Sequence, residues 1–147
     1  MIMKGETNHS CASFVQEITQ SSPNDTSELI KKVLEGLPFN AISVLERGYG
    51  ITRREIAEAL LVSPALMGRR EKSGRLSPAE SDRALRLAAA LDKSLVMMNG
   101  DRKAAATWMR SPRDALGGES PLMHLQTEIG VREVEDLISR IQHGVFC

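Results

Sequence analysis

The sequence predicts an all-α protein of two helical modules, and three observations carry that prediction. Apolar residues recur at three- and four-residue spacing along most of the chain, while no apolar/polar alternation lasts four positions. Ser, Thr or Asp stands just ahead of most of these runs, repeatedly with Glu three residues later, which marks a helix start. The formal net charge of zero also hides a partition: Met1–Glu46 carries three basic and six acidic residues, Arg47–Arg110 thirteen and seven, and Ser111–Cys147 three and six. A basic middle suits a polyanion, and acidic flanks suit a protein partner or the chain itself.

Residues 1–24 are rich in Ser, Thr, Asn and Gln with a brief apolar cluster at Phe14, Val15 and Ile18, and read as a polar, mobile or loosely docked arm. Pro23 to Ser27 form a start signal, after which Leu29, Ile30, Val33 and Leu34 fall at helical spacing until Gly36 and Pro38 stop the run. Asn40 is placed to cap the next helix, whose apolar residues Ile42, Val44 and Leu45 are terminated by Gly48 and Gly50.

The stretch from Ile51 to Leu76 reads as a helix-turn-helix. Thr52 and Glu55 make a capping box, and Ile56, Ala57 and Leu60 give the first helix one apolar face. Ser63 caps the second helix and Pro64 occupies its first position, where a missing N–H costs nothing; Leu66 and Met67 pack back on the first. Leu61 stands where a glycine would tolerate a left-handed turn. Four basic residues lie between Arg69 and Arg75 against Glu71, on the helix that would enter a major groove. Arg69 and Arg70 are expected to reach bases or phosphates, Ser63 and Ala65 base edges, and Lys72 and Arg75 phosphates, with Thr52 and Arg53 at the start of the preceding helix. One such unit makes few contacts, so a homodimer on an inverted repeat is expected.

Ser77, Pro78 and Glu80 open a long helix whose seam of Ala84, Leu87, Ala88, Leu91, Leu95 and Met98 extends over about 20 residues and can bridge two modules. The first module is thus placed at 25–98 and the second at 99–147. Asn99 and Gly100 break the long helix, and Asp101 caps a shorter one that carries Trp108, a core residue by its setting. Pro112, Gly117, Gly118 and Pro121 enforce a compact loop that lacks the Lys-Ser/Thr ending of a phosphate-binding loop. A last helix follows, with Val131, Val134, Leu137, Ile138 and Ile141 as its buried face and Gly144 as its stop, leaving Val145, Phe146 and Cys147 as an apolar tail.

Cys11 and Cys147 have neither metal-type nor redox spacing, and His9, His124 and His143 are too scattered for a ligand set, so they read as surface or interface histidines. No signal peptide or membrane-length apolar run is present. A cytoplasmic, non-enzymatic protein that needs no metal or cofactor is the expectation.

The segment GLPFNAISVLERGYGITRREIAEALLVSPALMGRREKSGRLSPAESDRALRLAAAL, followed by AAATWMRSPRDALGGESPLMHLQTEIGVREVEDLISRIQHGVF, resembles the Xre/MbcA/ParS-type antitoxins of type II toxin–antitoxin systems. The likeness spans roughly Gly36 to Cys147, and its specific part is Gly-Gly-x-x-Pro-Leu after Trp-x-x-x-Pro. It departs at Leu61, and at Ala65, Leu66 and Gly68 on the reading helix. The resemblance implies a bacterial antitoxin that neutralises a RES-type, NAD-consuming toxin and represses its own operon. It also implies that C-terminal residues occlude the toxin's active site, which places Gly144, Val145, Phe146 and Cys147 in that pocket; the loop with Leu116, Gly117, Gly118, Pro121 and Leu122 is then expected as a second contact, because its glycines allow close backbone approach and Leu122 offers an apolar anchor. The alternative from the residues alone is a stand-alone repressor whose C-terminal module dimerises or binds a small molecule.

Overall fold

The computed structural model describes residues 13–22 and 24–144. Among them the chain is helical throughout, in the order α1 (Phe14–Thr19), α2 (Thr26–Glu35), α3 (Asn40–Tyr49), α4 (Arg53–Leu60), α5 (Pro64–Ser73), α6 (Pro78–Met97), α7 (Arg102–Arg110), a 3-10 turn at Asp114–Leu116, α8 (Pro121–His124) and α9 (Glu128–Gln142). The only β-type pairing among the described residues is an isolated bridge between Pro38 and Arg75, which ties the linker before α3 to the linker after α5.

α6 is the axis. Its buried seam of Ala84, Leu87, Ala88, Leu91 and Leu95 follows the expected spacing, and α1, α2, α3, α4, α7 and α9 all pack on it. Two side chains fix its start: Ser77 accepts the Glu80 N–H at 3.2 Å, and the Glu80 carboxylate accepts the Ser77 N–H at 2.9 Å. One apolar core follows, running from Phe14 through Ile42, Ile56 and Leu91 to Trp108, Leu122 and Ile138. The core therefore crosses the 98/99 boundary without interruption.

The polar-arm expectation fails for its second part. Phe14, Val15 and Ile18 are buried in the core as the inner face of α1, and its start, capped locally by the Ser13 hydroxyl accepting the Gln16 N–H, is also held from far away in sequence. The Asp92 carboxylate on α6 accepts the Ser13 hydroxyl at 2.7 Å and the Phe14 N–H at 2.8 Å. Gly48 does not end α3; the helix runs on to Tyr49 and stops at Gly50, which is left-handed at φ 69°. Gly48 instead makes room for α1, because a Cβ there would lie 2.0 Å from the Phe14 ring. Asn40 is the first helical residue of α3 and not its cap; Phe39 holds the cap position without a side-chain bond. α2 forms as expected, yet Ile30 and Leu34 on it are more than half exposed.

Candidate functional site

The helix-turn-helix forms from the local signals that predict it. Thr52 and Glu55 close a capping box at the start of α4, and the Ser63 hydroxyl accepts the Leu66 N–H at the start of α5. Leu61 takes the left-handed conformation at φ 59° and is exposed, so the turn is made without glycine. Ala57 and Met67 are buried between the two helices.

The basic residues of this unit separate into two groups. Ser63, Ala65, Arg69 and Lys72 are exposed on α5, and Arg54 is exposed on α4. Arg70, expected beside Arg69 in DNA contact, is turned inward: its Nε and Nη2 reach the two oxygens of Glu80 at 2.8 and 3.0 Å. Arg75 donates to the Gly36 carbonyl at 2.5 Å. Arg53 donates to Glu71 at 3.0 Å and stacks over Phe39 with its guanidinium carbon 5.3 Å from the ring centroid. Thr52 spends its hydroxyl on the cap. Of the expected cationic contacts, Arg69 and Lys72 stay free of ion pairs among the described residues, and so does Arg54, which with Arg53 opens α4. Glu80 draws Arg70 inward because the capping box already holds that carboxylate in place, so pairing costs little further ordering.

In the C-terminal module the chain from α7 turns through a loop whose base is Arg113. The Arg113 carbonyl accepts N–H groups from Leu116 and Gly118, and the Arg113 N–H donates to the Glu119 carbonyl. Gly117 and Gly118 have φ of 71° and 88°, a region costly for other residues, and nothing in the described residues lies within 4 Å of a Cβ built on either. Their glycine identity is therefore set by the turn and not by a neighbour among the described residues. Leu122, expected as an apolar anchor for a partner, is 2 % exposed, and Leu116 and Pro121 are buried as well. These three hold the loop onto the core, because the short helix α8 must bury its single apolar face there. The exposed groups of this region include Gly117, Gly118, Glu119 and Ile129, the last 74 % exposed at the start of α9. Gly144 is exposed at φ 71° after α9; Val145, Phe146 and Cys147 lie outside the described residues.

His124 is no loose surface histidine. Its Nδ1 lies 2.5 Å from Glu119 and its Nε2 2.6 Å from Glu133, so the ring clasps the glycine loop to α9. Burial works against the charged ring, and the two carboxylates outweigh it, raising the His124 pKa above its ordinary value. Gly130 belongs to the same clasp, since a Cβ there would collide with the His124 carbonyl.

Two contacts join the modules across α4. Arg110 on α7 sends Nε and Nη2 to the two oxygens of Glu55, each at 2.9 Å, and Nη2 also donates to the Gly50 carbonyl. Gln126 donates to the Glu58 carbonyl at 2.8 Å near the other end of α4. The Arg110 guanidinium, with the Thr52 groups helping and burial opposing, holds Glu55 below the usual carboxylate range. At Glu80 burial pushes up, and Arg70 with Ser77 outweighs it, so that carboxyl also titrates lower than usual. Both arginine contacts span too much sequence for spacing to reveal them.

This architecture defines an all-α helix-turn-helix protein whose long helix α6 continues into a second helical module. Two family models match it in turn: an antitoxin Xre-like helix-turn-helix domain at residues 28–89, and an antitoxin Xre/MbcA/ParS C-terminal toxin-binding domain at residues 94–144. The chain is 37% identical over 119 residues to an antitoxin Xre of Yersinia enterocolitica serotype O:8 / biotype 1B, covering 80% of each protein. It is 30% identical over 129 residues to an antitoxin Xre of Photorhabdus laumondii subsp. laumondii, covering 86% of this chain and 87% of the relative. The chain belongs to the Xre family of antitoxins and carries that family's toxin-binding C-terminal domain.

Proposed function

We propose that this antitoxin neutralises a RES-type, NAD-consuming toxin in the bacterial cytoplasm by blocking its active site, and that it represses its own operon as a homodimer on an inverted repeat. The observation that carries the reading is the pairing, on one chain, of two exposed surfaces of different chemistry. α5 presents Ser63, Ala65, Arg69 and Lys72 with Arg54 beside them, a set suited to base edges at the helix start and phosphates along its length. The toxin-binding module presents Gly117, Gly118, Glu119 and Ile129, where bare backbone admits close approach and an exposed isoleucine offers apolar area.

Inhibition by this route is steric. The chain supplies no chemistry to the toxin; it excludes NAD by filling the pocket with residues that follow α9, Gly144 to Cys147, while the loop at 117–119 meets the rim. In DNA, Arg69 is the residue best placed to take a guanine edge, which contributes about 1 to 3 kcal/mol when bidentate.

The test co-expresses the chain with the toxin of the neighbouring gene and follows cellular NAD. The full chain should restore NAD, and a chain lacking Val145–Cys147 should not, while operator binding survives the deletion. Full protection by the truncated chain would remove the tail from the mechanism and leave the loop to carry inhibition.

A further inference from the structure

Arg113 of the C-terminal module is partly buried, yet no carboxylate pairs with it among the described residues. Arg113 lies between α7 and the glycine loop, with its backbone committed to the loop base. Its guanidinium sits over the Trp108 ring, the carbon 5.0 Å from the centroid, and one Nη makes a long 3.4 Å bond to the Trp108 carbonyl. The Nε is buried without a hydrogen-bond partner, alone in this among the buried side-chain polar atoms of the described residues. Burial lowers its pKa from the ordinary arginine value, with no carboxylate acting against that. Other arginines packed on the fold have found acceptors: Arg70 has Glu80, Arg110 has Glu55, and Arg75 has Gly36.

Arg113 and Trp108 form one wall of a cavity of about 470 Å³, completed by Met98, Asp101, Lys103 and Thr107. Asp101 is already engaged as the cap of α7, accepting the Ala104 N–H at 3.0 Å. The charged walls, Lys103 and Arg113 against Asp101, leave one positive charge. With Nε closed to solvent, a planar anion entering the cavity would meet the outer Nη groups of a cation laid on an indole, which offer paired N–H donors. A single carboxylate fits that balance better than a phosphate dianion, which Asp101 would repel.

We infer that this cavity receives an aspartate or glutamate side chain of the toxin, gripped by Arg113 against Trp108 with Lys103 as the flanking charge. The inference rests on the toxin-binding reading of the module, and the cavity adjoins the glycine loop through Arg113 itself. α7 packs chiefly on α6, α3 and α8, so a duplex read by α5 is held by other elements.

The test measures toxin affinity for the full chain and for Arg113→Ala and Arg113→Lys, with operator affinity alongside. Arg113→Ala should fold, since it removes a buried donor that has no acceptor among the described residues, and an unchanged helical circular dichroism spectrum checks this. It should bind toxin about 10- to 100-fold more weakly. Arg113→Lys should recover only part of the loss, because a lysine cannot reproduce the planar fork. Changing toxin carboxylates one at a time to their amides should find one whose loss is not additive with that of Arg113. Unchanged toxin affinity in Arg113→Ala overturns the inference while leaving the toxin-binding reading intact. Weakened operator binding with unchanged toxin binding overturns it in favour of a DNA phosphate. A wild-type chain that binds no toxin removes the reading beneath it as well.

Discussion

Glu55 and Glu80 do the same local work and different long-range work. Each is the third residue of a capping box, accepting the backbone N–H of its own cap residue. Each also takes an arginine through both carboxylate oxygens. For Glu80 the arginine is ten residues away in the same helix-turn-helix unit, and the carboxylate is 5 % exposed. For Glu55 it comes from Arg110, 55 residues on in the toxin-binding module, and the site is more open to water. The first pair thus stiffens the helix-turn-helix and withdraws Arg70 from its surface, whereas the second clamps one module to the other. A motif that sets a helix start has been given a second ligand, and the origin of that ligand decides what the motif holds together.

Breaking the buried pair should have the larger effect. Glu80→Ala removes the box of α6 and the acceptor of Arg70 at a desolvated site, and should cost on the order of 2 kcal/mol in urea unfolding. An unchanged midpoint would mean that the buried carboxylate contributes nothing net. The same variant frees Arg70, so operator affinity at low salt should rise or hold even as the fold weakens.

Arg110→Ala should cost less, about 1 kcal/mol or below, because its pair with Glu55 is partly solvated. Its signature is local: hydrogen exchange should quicken at the start of α4, while protection across α5 and α6 stays. If α5 loosens equally, the clamp supports the whole unit and the contrast between the two glutamates disappears.

The smallest effects are read by pH. Both carboxyls titrate below their ordinary value in the fold, so their stabilisation is complete above the unfolded carboxylate value of 4.5 and fades as pH falls through the lower folded values. Acid sensitivity in that range should flatten in Glu80→Ala more than in Arg110→Ala. His124 has the opposite sign. Its pKa is raised, so the clasp to Glu119 and Glu133 is fully present below 6.5 and is lost as pH rises through the folded value. His124→Gln should erase a decline of only a few tenths of a kcal/mol, since both glutamates are about half exposed.

The helices α4, α5, α6 and α9 were legible because their signals are local: a cap, a glutamate three residues on and an apolar face at the right spacing. The docking of α1 was not, because its start is anchored to Asp92 and its space is made by Gly48, both distant in sequence from Phe14. Arg69 and Arg70 look alike in a string, yet neighbours on a helix point about 100° apart, so one meets water and the other Glu80. Leu122 read as a free apolar group because composition cannot tell a loop side chain facing inward from one facing a partner. The special standing of Arg113 lay equally out of reach, since it depends on an acceptor that is missing among its spatial neighbours.

The two family models meet between residues 89 and 94, inside α6, which runs unbroken from Pro78 to Met97. The seam between the inherited pieces is therefore a continuous rod and not a linker. A boundary drawn within that seam would take roughly the last one to two turns of α6 from the N-terminal piece and open the core beside Leu87 and Ala88. Recombination that exchanges one toxin specificity for another must hand over a helix in phase: a shift of one residue in the joint would rotate everything downstream by about 100° and carry it about 1.5 Å along the axis.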